Sequence, residues 1–122
     1  MIRTIYQYFN KIRKSITRKY YTWIVKKQSK SVGINLTVNS KSHSTITTIL
    51  GNNVNFNGVD IQGSGDVVIG DNFHSGNDIV IITQNHNYDG GNMIPYDETY
   101  ILKPVVIKDN VWIGSRATIL GG

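Results

Sequence analysis

"IGDNFHSGNDIVIITQNH", residues Ile69 to His86, divides into IGDNFH, SGNDIV and IITQNH. After an interruption the pattern resumes at Ile107 as IKDNVW, IGSRAT and ILGG. An aliphatic residue opens nearly every unit, and Phe73, Ile79, Val111 and Ala117 hold an apolar fifth position. A short fixed period is read before any single motif. Three short strands and three corners make one triangular turn of a parallel β-helix, whose inward aliphatics stack from turn to turn so that each turn needs its neighbours. The corners demand tight backbone, often at positive φ, which Gly, Asn and Asp tolerate best. Gly51-Asn52-Asn53 and Gly70-Asp71-Asn72 are therefore structural on this reading.

Working outward, LGNNVN at Leu50 is the preceding unit of the same face, with one extra residue absorbed near Gln62. That register puts the sixth positions Asn55, His74 and Trp112 in one outward column. Gly63-Ser64-Gly65 lacks the helix that a phosphate loop opens, so it is not read as one. Toward the N-terminus, Ile5, Phe9, Ile12 and Ile16 recur at helical spacing, away from Lys11, Arg13, Lys14 and Arg18, and Tyr20, Trp23 and Ile24 extend the stripe. One or two amphipathic helices are expected over Ile2 to Lys27, within a basic helical arm spanning 1–42. The stripe can pack on the rest of the protein, lie on an anionic membrane, or supply phosphate affinity without a base-reading motif. Residues 43–122 form the β-domain, interrupted by a loop at about 87–105.

A length of 122 residues suggests one domain with a small core. The formal charge of +5 is unevenly spread, because every acidic residue lies at Asp60 or beyond. The absence of cysteine excludes disulfides and thiolate metal sites. No apolar run suits a secretory signal or a transmembrane span.

The order NVNFNG, IGDNFHSG, a strand ending in NHNYDGG, a loop, and VVIKDNVWIGSRATILGG resembles the hexapeptide-repeat acyltransferases. The similarity is greatest to the sugar O-acetyltransferases related to galactoside and maltose acetyltransferases, and covers about Leu50 to Gly122. It implies a mainly β protein built on a left-handed parallel β-helix of hexapeptide repeats. It also implies transfer of an acetyl group from acetyl-CoA to a saccharide hydroxyl at a site between subunits of a homotrimer. No metal is expected, because the histidines are few and His74 and His86 fall on different faces in this register. His86 matches the catalytic histidine of the family and Asn55 its active-site asparagine. Trp112, Gly114 and Ser115 match the segment at the substrate and cofactor site, while His74 and Tyr88 are acceptor-site candidates. Family members continue through further coils, so the β-helix is expected to be incomplete at its C-terminal end, which leaves the activity of the 122-residue chain itself open.

The chemistry suits a histidine. A sugar hydroxyl is hardly ionised near neutral pH, whereas an imidazole of ordinary pKa near 6.5 is mostly neutral and can take its proton as the bond to the thioester carbon forms. Asn55 or a backbone N–H would stabilise the resulting oxyanion. The expected setting is cytoplasmic, with peripheral contact at the inner membrane face through the basic arm and no nucleic-acid partner. The competing expectation is an inactive β-helix serving as scaffold or membrane-surface module.

Overall fold

The computed structural model describes residues 1–122. The N-terminal segment forms a single helix, α1 (Ile2–Gln28), with no glycine or proline to interrupt it and with Lys26 and Lys27 in its last turn, where cations favour the helix dipole. It stops at Ser29, whose hydroxyl and backbone N–H both donate to the Val25 carbonyl. Val25 is fully buried and, with Tyr21, packs against the β-core. The apolar stripe does not. Ile5, Phe9 and Ile16 are 49, 64 and 62% exposed. With 3.6 residues per turn, Val25 lies roughly opposite Phe9 and Ile16, so the helix docks by its other side. Packing of the stripe on the rest of the chain is therefore not what the structure shows.

Thirteen strands follow: β1 (Ser31–Val32), β2 (Thr37–Val38), β3 (Thr48–Leu50), β4 (Asn55–Phe56), β5 (Val59–Gln62), β6 (Val67–Ile69), β7 (His74–Ser75), β8 (Ile79–Ile82), β9 (Gln84–His86), β10 (Tyr100–Leu102), β11 (Val105–Ile107), β12 (Trp112–Ile113) and β13 (Thr118–Leu120). All pairings are parallel except that of β9 with β10. The three parallel sheets run β1-β3-β6-β11, β2-β4-β7-β12 and β5-β8-β13; from β3 onward the chain visits them in cyclic order, while the third side of the first turn is a single parallel bridge from His43 to Asp60. The protein is thus mainly β with an N-terminal helix, consistent with a parallel β-helix. Strands begin at Ser31, inside the stretch 1–42 read as arm, because Gly33 and Asn35 already supply a corner like those further on.

The first turn has no strand before it, and α1 takes that place. Thr22 Oγ1 accepts the Val38 N–H at 3.0 Å, Gln28 Oε1 accepts the Ser44 N–H at 2.9 Å, and the Ser29 and Ser44 hydroxyls meet at 2.7 Å. Buried N–H groups at the end of the stack thereby find partners, which the cost of leaving them unpaired demands.

Inside, Leu50, Ile69 and Ile107 form one column, Val54 and Phe73 another, and Ile61 and Ile81 a third, all buried. Phe56 and Phe73 meet edge to face at 5.8 Å, and burying each contributes about 1.5–3 kcal/mol. Corners are stitched by side chains. Asn35, Asn53, Asn72 and Asn110 all adopt φ of 56 to 63°, and each Nδ2 in the first three donates at 2.9 Å to the Oδ1 of the next. Asn52, Asp71 and Asp109 each use Oδ1 to accept the N–H of the residue one turn earlier. Those oxygens fill the space that a Cβ on Gly33, Gly51 or Gly70 would need. The Gly-Asn/Asp-Asn triplets are thereby explained one residue at a time.

The register also refines the extra residue expected near Gln62. Asn55 pairs with His74 and Val59 with Ile79, so the corner at Gly58 is one residue shorter than its successor. Gly58, at φ 111°, makes that shortcut, and the longer corner follows at Gly63 to Gly65.

Candidate functional site

Between β8 and β11 the chain leaves the stack as a hairpin. β9 and β10 pair antiparallel, with Tyr100 opposite His86 and Leu102 opposite Gln84. The loop at the tip is tied by Asn87, whose N–H donates to the Thr99 carbonyl at 3.1 Å and whose Oδ1 accepts the Gly90 N–H. Asp97 accepts from the Asn92 N–H and from both the N–H and hydroxyl of Thr99. Those bonds, the Thr99 hydroxyl first, hold the Asp97 carboxyl below the usual carboxylate range.

His86 sits at the base of this hairpin. Tyr96 stacks on its ring at 3.7 Å between centroids and 17° between planes, and Tyr100 lies at 4.8 Å and 33°. Its Nδ1 is buried with no hydrogen-bond partner. An open groove beside it is lined by Gln62, Gln84, Asn85, Tyr88 and Tyr100 as well as His86. The imidazole is therefore held by ring contacts and strand pairing, with its buried Nδ1 uncommitted. Such an orphaned polar atom calls for an explanation in terms of a role or a partner.

Asn55, His74 and Trp112 stand in one column of the β2-β4-β7-β12 sheet, in the order expected from the sequence. Asn39 Nδ2 donates to Asn55 Oδ1 at 3.3 Å, leaving the Asn55 amide N–H groups without a partner in the chain. His74 Nε2 lies 3.3 Å from Asn57 Nδ2, and Trp112 is 69% exposed. Ser115 is partly committed: its Oγ accepts the Asn77 N–H at 2.9 Å, as Ser75 Oγ accepts that of Asn57. A Cβ on Gly114 would meet only the rim of the Trp112 ring, so that backbone is open to approach.

Two groups thus emerge within one chain. His86 and Tyr88 belong to the hairpin, while Asn55, His74, Trp112, Gly114 and Ser115 belong to another sheet and its corner. The sequence reading left Tyr100 without a role. Its signal was the β-prone run Thr99 to Leu102 after a turn-rich loop, which marks the return strand of a hairpin.

Comparison of the chain with protein-family models, with curated proteins and with solved structures found no match.

Proposed function

We propose that the protein is an acetyl-CoA-dependent O-acetyltransferase for a saccharide hydroxyl, with His86 as general base. The observation that carries this reading is the His86 ring, clamped by Tyr96 and Tyr100 at the edge of an open groove while Nδ1 keeps no partner. A base must be fixed in place before its pKa matters.

In the proposed reaction a ring nitrogen of His86 takes the proton of the acceptor hydroxyl as its oxygen bonds to the thioester carbon. The tetrahedral intermediate carries the negative charge on the former carbonyl oxygen, where an N–H of Asn55 donates. Collapse breaks the carbon–sulfur bond, and the imidazolium returns its proton to the CoA sulfur. Products are the acetyl ester and free CoA. Trp112 offers an exposed ring face to donor or acceptor, and Gly114 an open backbone beside it. The parting of His86 from Asn55 within one chain supports a site completed by a second copy, as in a homotrimer.

A scaffold without activity is the second reading, favoured by the Ser115 hydroxyl already serving the Asn77 corner. The deciding experiment incubates the protein with acetyl-CoA and a panel of oligosaccharides and follows both CoA release and acetyl ester by mass spectrometry. Acceptor-dependent ester formation that is lost in His86→Gln supports the enzyme. No ester from any acceptor, or undiminished turnover in the variant, overturns it.

A further inference from the structure

We propose that the free face of α1 seats the protein on an anionic lipid bilayer, an inference that does not rest on the acyl-transfer reading. The helix is already committed on one side, where Tyr21, Thr22, Val25 and Gln28 close the first turn of the β-domain. The apolar stripe lies roughly on the other side, so docking the helix leaves Ile5, Phe9, Ile16 and Trp23 bare, with Trp23 itself 56% exposed. An unpartnered stripe of this size on a soluble surface marks an interaction site.

Charge selects the occupant. Basic residues flank the stripe, Arg13 on one side and Lys19 and Lys26 on the other, and no acidic residue precedes Asp60. Two such helices side by side would repel, whereas phospholipid headgroups supply the missing negative charge. Aromatic and aliphatic side chains on a cationic helix of low mean hydropathy are the composition of an interfacial helix, and no helix of the chain is long and apolar enough to cross a membrane. A second feature points the same way. Arg18, Lys19, Lys26, Trp23 and Thr37 line a groove between the helix and the β-domain that contains no acidic residue, a seat for a lipid phosphate at the edge of the exposed stripe.

The test is co-sedimentation of the full chain with vesicles of phosphatidylcholine, with and without phosphatidylglycerol, over a range of salt. Binding is expected only to the phosphatidylglycerol vesicles and should weaken as salt rises. Phe9→Glu/Ile16→Glu and Arg13→Glu/Lys19→Glu should each lower the affinity more than about a hundredfold. Far-UV circular dichroism should remain unchanged, because these side chains are exposed. As a check that needs no change in the helix, Trp23 emission in a Trp112→Phe background should shift to the blue on phosphatidylglycerol vesicles and stay put on phosphatidylcholine alone. Equal binding to both vesicles, or binding indifferent to the charge reversals, would overturn the proposal. So would failure to bind together with a helix-mediated oligomer that Phe9→Glu/Ile16→Glu dissolves, which would give the stripe to a second copy.

Discussion

The corner that carries Asn35, Asn53, Asn72 and Asn110 and the hairpin that carries His86 are both polar, but they treat their polar atoms differently. In the corner the amides of Asn35, Asn53 and Asn72 are each handed to the next turn, so the ladder repeats down to Asn110. In the hairpin a histidine is packed against two tyrosines, and one ring nitrogen is left buried and unpaired. Paired polar groups repeated turn after turn belong to architecture. A single unpaired one beside an open groove belongs to chemistry or to a partner.

Substitutions should separate the two regions. The largest expected effect is on the hairpin: His86→Ala should lower acyl transfer about a hundred- to ten-thousandfold, while the thermal midpoint by circular dichroism stays near that of the unaltered protein. A parallel fall in both would make His86 a structural residue. In the corner the effects should reverse. Gly51→Ala places a methyl where Asp71 Oδ1 and the Gly70 backbone already lie, and should cost about 1–3 kcal/mol in urea unfolding. Asn72→Ala, which loses two ladder bonds and puts alanine at positive φ, should cost about 1–2 kcal/mol. Asn72→Gly keeps the backbone conformation and should cost less, so the difference between the two measures the backbone term alone.

The smallest effect concerns the hairpin tip. Asp97 has its folded pKa depressed, so its bonds to Thr99 and Asn92 are fully present above the ordinary carboxylate range and are lost only as pH falls through the lowered folded value. The Thr99 amide resonance should therefore titrate below the usual carboxylate range. Titration within that range would show that the tip is not held by this carboxylate.

Much of the stack could be read from sequence because its physics is local and periodic. Asn and Gly at fixed steps announce corners, and the column of Asn55, His74 and Trp112 followed from counting six residues at a time. The first turn escaped because Ser42 and Ser44 stand inside it where later turns have Val59 and Ile61, so the apolar signal is weak. The direction of the helix stripe was not legible either. Periodicity tells that one side is apolar, but only the short docked stretch from Tyr21 to Gln28 decides which side meets the core. The setting of His86 escaped for a third reason: Tyr96 and Tyr100 reach it across an antiparallel turn that a repeat count does not describe.

Because His86 and Asn55 lie on separate elements of one chain, the most direct test of the account mixes two single-site variants. His86→Ala and Asn55→Ala protein, each assayed alone for acceptor-dependent CoA release, should be nearly silent, and subunit exchange between them should restore part of the activity. Silence after verified exchange, or full activity in either variant alone, would contradict a site shared between copies with His86 as its base.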